Sequence, residues 1–137
     1  MTSRTIFLGK LLGAYIIIFA AAMLFNSQGM IAAVGGLFQD ASVMLVLGVI
    51  VVAAGLAMVF GHNVWTGGAL PVVVTVVGWL TLLKGLILLL LPSGGQQAYF
   101  VATRFAQFPY VYAAISFVLG AYLLVASLTA RRTPLGS

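Results

Sequence analysis

Four long apolar runs that share a single carboxylate, Asp40, constrain this chain more than any other feature. A helix needs about 20 mostly apolar residues to cross the hydrocarbon of a bilayer, and four such runs use up most of the 137 residues. Hydrophobic residues make up 64% of the sequence and charged residues only 5%. A water-soluble domain of this length cannot cover its surface with so few charges. The expected fold is therefore an all-α membrane protein: a left-handed four-helix transmembrane bundle forming one domain over residues 1–137, with spans at about 5–25, 41–60, 71–91 and 109–128.

Local signals mark the ends of these spans. Asn26-Ser27-Gln28-Gly29 breaks the first run. Asp40 opens the second, where its side chain can accept from free N–H groups. Gly61-His62-Asn63 closes that run, with Gly61 or Asn63 suited to a left-handed turn. Pro71 fits a first helical turn, and Pro92-Ser93-Gly94-Gly95 ends the third run. Arg131-Arg132 follows the fourth. Two connections are longer than tight turns. Residues 30–39 are apolar enough to lie in the interface or dip into the protein, and the aromatic-rich stretch at about 98–108 suits a short interfacial helix. Arg4, Lys10 and Ala20-Ala21-Ala22 also have features of a signal peptide. However, the apolar run 11–25 sits at the upper length limit for such a segment, so it is read as the first span.

The net charge is +5, from Arg4, Lys10, Lys84, Arg104, Arg131 and Arg132 against Asp40. These cations are scattered at membrane edges and form no basic patch, which points to anionic lipid headgroups and the lipid bilayer as partners rather than nucleic acid. An even number of spans puts both termini on one side, together with Arg4, Lys10, Arg131 and Arg132. Only Arg104 falls in the opposite loops. By the excess of cations on the inner face, both termini are expected in the cytoplasm.

Small residues recur every seventh position. The second span has Ala41, Gly48, Gly55 and His62; the third has Pro71, Gly78, Gly85 and Pro92; the fourth has Ala113, Gly120 and Ser127. Such a repeat makes a seam along one helix face and favours a left-handed crossing, and small seams let membrane helices approach closely. Gly9 and Gly13 give the first span a GxxxG step. The strings FLGKLLGAYIII and WLTLLKGLILLL each place Lys and Gly in an aliphatic run, which would fit a parallel repeat of two helical hairpins.

Few residues could carry chemistry. The sequence has no cysteine, and a single His without nearby acids does not make a metal site. No nucleophile–base pair, phosphate loop or paired carboxylate is present, so neither catalysis nor a cofactor is expected. The candidates that remain are Lys84, His62, Asn63, Trp79, Thr75, Thr81 and Asp40. Counted from the end of its own span, Lys84 lies roughly 10 Å deep. It could contact an anion inside the bundle, snorkel to the interface, or pair with Asp40. His62 could titrate near neutral pH or simply end its helix. Trp79 N–H should find a partner such as Thr75, one turn back.

The stretch Gly61-His62-Asn63-Val64-Trp65, followed by Thr75, Gly78-Trp79, Lys84-Gly85 and Pro92, resembles a group of small uncharacterised bacterial inner-membrane proteins. The resemblance implies a multi-pass protein of the bacterial inner membrane and no particular activity. Small multidrug transporters and dual-topology fluoride channels are of similar size, but the first span lacks their membrane Glu and no channel motif is found. Two functions fit. One is an accessory or scaffold subunit that holds lipids or a membrane-protein partner. The other is a small homo-oligomeric transporter or channel for a small solute or anion, in which Lys84, Thr81, Thr75, Trp79 and His62 would converge on one cavity.

Overall fold

A computed structural model describes residues 2–91, 95, 98, 101–102 and 107–130. Among the described residues it has five helices: α1 (Ser3–Phe25), α2 (Ser27–Leu37), α3 (Ala41–Gly61), α4 (Ala69–Leu90) and α5 (Pro109–Thr129). All but α2 are long and apolar enough to cross a membrane, and these four pack as a bundle. The span ends lie within two residues of the expected ones. The helix expected at 98–108 falls mostly outside the described residues.

Side chains at the ends explain where the helices start. Thr2 caps α1 by accepting from Thr5 N. Asp40 caps α3, its Oδ1 accepting from Ser42 N at 2.9 Å and Val43 N at 3.1 Å. Pro71 lies in the first turn of α4, where no intrahelical N–H is needed. Two expectations differ from the fold. Asn26 not only ends α1 but also caps α2, accepting from Gly29 N, and the connection expected at 30–39 is mostly helical. In addition, Gly61 stays within α3, which ends on His62 in an extended conformation, and the glycines with positive φ are Gly67 (φ 91°) and Gly68 (φ 121°), just before α4. Those φ values strain any residue with a Cβ, and the reversal before α4 falls on two adjacent glycines.

The helices associate as two antiparallel pairs, α1 with α5 and α3 with α4. Thus the first span packs on the last, not on its neighbour in sequence. Glycine sets both interfaces. A Cβ on Gly13 would stand 2.6 Å from Leu124 N, and one on Gly120 would stand 2.9 Å from Ile17 Cγ1. Between α3 and α4, a Cβ on Gly55 would stand 2.5 Å from Leu82 Cα, on Gly85 2.7 Å from Val52 N, on Gly78 3.0 Å from Met58 Cβ and on Gly48 3.2 Å from Leu89 Cα. The seven-residue spacing on α3 thus meets a seven-residue spacing on α4 run in the opposite direction. The two pairs meet around Leu70, Val74 and Leu123, with Leu8, Leu12, Ile16, Met58 and Leu119 packed around them. This shared core lies in the half of the bundle that carries the chain termini.

Candidate functional site

Next to this core, three segments bring polar groups together. His62 follows α3, its backbone N–H bonded to Met58 O at 2.7 Å, and it is only 4% exposed. Thr5 reaches its ring from α1, with Oγ1 2.8 Å from Nε2. Thr75 reaches it from α4, with Oγ1 3.2 Å from Nδ1. Both threonines are buried. The histidine therefore ties the α1/α5 pair to the α3/α4 pair at the end where both pairs converge.

The hydroxyl protons fix the ring's tautomer. Thr75 Oγ1 has one proton and two carbonyl acceptors, Val64 O and Pro71 O, each at 2.9 Å. It also accepts from Val64 N at 3.0 Å. With its proton committed to a carbonyl, Thr75 can meet Nδ1 only as an acceptor, so Nδ1 carries the ring hydrogen. Nε2 is then the acceptor for the Thr5 hydroxyl, and Thr5 Oγ1 can accept from Thr2 Oγ1 at 2.9 Å. Every buried side-chain polar atom among the described residues has a partner. Burial disfavours the charged imidazolium and pushes the His62 pKa below its ordinary 6.5.

A second polar group sits beside the first. Asn63 Oδ1 accepts from Trp65 Nε1 at 2.7 Å and from Trp79 Nε1 at 3.4 Å. Trp79 therefore bonds to Asn63 and not to Thr75, whose hydroxyl is already engaged by His62, Val64 and Pro71. Arg4 Nη1 donates to Gly61 O at 3.5 Å, which places a cation at the carbonyl end of α3.

The chain has no match among protein families, curated proteins or solved structures.

The other candidates lie apart from this cluster. Thr81 donates to Val77 O one turn back, which uses its hydroxyl within α4. Asp40 is at the opposite end of the bundle, occupied in capping α3. Lys84 is exposed on α4, and among the described residues its ammonium makes no hydrogen bond or ion pair. Thr2, Thr5 and Arg4 were not legible as site residues. Thr5 and His62 are 57 positions apart, and nothing local in Ser3-Arg4-Thr5 marks a partner that distant. No group of three or more His, Cys, Asp or Glu side chains capable of holding a metal occurs among the described residues.

Proposed function

We propose that this protein is a non-catalytic accessory or scaffold subunit of a bacterial inner membrane, with both termini in the cytoplasm and anionic lipid headgroups around its cationic end. The observation that carries this reading is the state of His62. The one side chain with general acid–base potential near neutral pH is buried with both ring nitrogens bonded to threonines. It works as a tie between helices. Meanwhile only 22–28% of the apolar window in each span is buried inside the chain. A small protein with an internally paired polar cluster and a large outward apolar surface is suited to presenting that surface to lipids and to other membrane proteins.

The conduit reading needs Lys84, Thr81, Thr75, Trp79 and His62 on one path. Thr75 and His62 are sealed beside the shared core, whereas Lys84 faces outward, so the accessory reading is the better supported. The resemblance of Gly61–Trp65 and Gly78–Gly85 to small bacterial inner-membrane proteins supports the choice of membrane, and Arg4 and Lys10 at the terminal end support the orientation. Purification of the full chain in a mild detergent, followed by mass spectrometry, tests the reading. A stoichiometric second protein is expected. Recovery of a homo-oligomer alone would overturn the reading in favour of a conduit.

A further inference from the structure

The register of the α3/α4 pair gives Lys84 a depth that its own helix does not reveal. Counted from Leu90, the residue is only about 9 Å inside the end of α4. Its neighbour Gly85, however, packs against Val52, where an added Cβ would stand 2.7 Å from the backbone N. Val52 is close to the middle of α3, which has 21 residues. That helix is about 31 Å long, matching a hydrocarbon core of about 30 Å. Lys84 is therefore level with mid-membrane, about 15 Å from either edge. The two measures differ because the start of α3 overshoots the end of α4: Gly48, not Ala41, stands opposite Leu89.

At that depth an extended lysine side chain covers less than half the distance to either headgroup layer. Lys10 makes the contrast. It is exposed near the start of α1, and its Cβ tilts toward the helix N-terminus and hence toward the nearer edge. Lys84 has an outward neighbourhood of Leu80 (58% exposed) and Leu83 (55%). At 100° per residue it borders the face that, closer to the termini, carries Leu70 and Val74 onto the other helix pair. An uncompensated cation facing lipid in the middle of a bilayer is strongly disfavoured.

Three sources of negative charge can be compared. Lipid phosphates lie at the edges, out of reach. A second copy of this chain brings only Asp40, which caps α3 at one end, together with another Lys84. A carboxylate near the middle of a membrane span in a different protein meets both the depth and the charge. We infer that Lys84 is one half of an intramembrane ion pair, whose Asp or Glu is carried by a transmembrane helix of a heterologous subunit seated on the Leu80/Leu83/Lys84 face of α4. This inference rests on the accessory reading and names the chemistry of the partner it requires.

The test uses the full chain in native membranes with a photoreactive residue at position 83. Crosslinked species are compared for the unaltered chain, Lys84→Arg, Lys84→Met and, as a control, Lys10→Met. The expected result is a crosslink to a protein with a carboxylate near the middle of one span. Its yield should be kept by Lys84→Arg and Lys10→Met and lowered about three- to twentyfold by Lys84→Met. Lys84→Glu should lose the crosslink, and replacing the partner's acid by Lys should restore it. A yield indifferent to Lys84→Met, crosslinks only to lipid or to a second copy, or a partner without a membrane carboxylate would each overturn the ion pair. If a partner still co-purifies with the Lys84→Met chain, the accessory reading stands without it. If no partner co-purifies with the unaltered chain, the accessory reading falls as well.

Discussion

Replacing Thr5 by Val removes the hydroxyl that meets His62 Nε2 at 2.8 Å and leaves a buried ring nitrogen without a partner. The expected cost is about 1–2 kcal/mol, read as a lower unfolding midpoint in detergent. Ser at the same position keeps the hydroxyl and should recover most of that loss. The same contacts predict a pH response. Burial lowers the folded pKa of His62 beneath 6.5, so between the two values the unfolded chain binds more protons than the folded one. Stability then rises with pH through that interval and levels off above the unfolded value. The unfolding midpoint should therefore fall as pH drops from about 7.5 toward 5.5, and His62→Asn should flatten the dependence. A midpoint of the unaltered chain that rises on acidification would contradict the burial argument. Nitrogen NMR of the imidazole should report hydrogen on Nδ1, as the commitment of the Thr75 proton requires; hydrogen on Nε2 would contradict that assignment.

At the level of elements, the two helix pairs depend on glycines that touch backbone. Gly55→Ala, Gly85→Ala and Gly13→Ala each force a Cβ to within 2.5–2.7 Å of a backbone atom on the facing helix. The helices must then part, at a cost of about 1–3 kcal/mol. Gly36→Ala on α2 meets nothing within 4 Å and should be neutral or slightly stabilising through helix propensity. Thermal melts of the four variants check the contrast, and equal losses would show that the seams do not set the packing. These seams were legible because small residues every seventh position form a local pattern, as were the helix starts at Asp40 and Pro71, whose side chains act within one turn. The helical state of α2 was not. Gly29, Gly35 and Gly36 disfavour helix, and α2 buries no residue, so no amphipathic pattern announces it. Nor was the choice of which seam meets which, because Gly9 and Gly13 carry no mark of Ser127 or Gly120 as partners. The Thr5–His62 bond depends on that same choice, so the heart of the site became visible only once the helices were paired.

For the molecule as a whole, the pairing of first span with last means that a cut at the Gly67-Gly68 turn divides both tight pairs between the two pieces. Residues 1–66 carry α1 and α3; residues 67–137 carry α4 and α5. Co-expressed as separate polypeptides, the pieces are expected to co-purify in mild detergent through the glycine seams, and Gly55→Leu should weaken the complex. Pieces that fail to associate would mean that the covalent link, not the seams, holds the pairs together. The Gly67-Gly68 turn also lies on the same side of the bundle as the N-terminus. In inverted membrane vesicles a protease site placed there should be cut together with an N-terminal tag.

The docking of α1 onto α5 also sets an order on biosynthesis. Synthesis runs from the N-terminus, so α1 enters the bilayer with Gly9 and Gly13 exposed to whatever helix is nearby, and its proper mate, α5, leaves the ribosome only after α2, α3 and α4. Until then the nascent protein holds an unmatched adhesive stripe in the lipid, available to membrane chaperones and proteases. A ribosome that stalls or terminates before Pro109 would release a chain in which that stripe can never be closed.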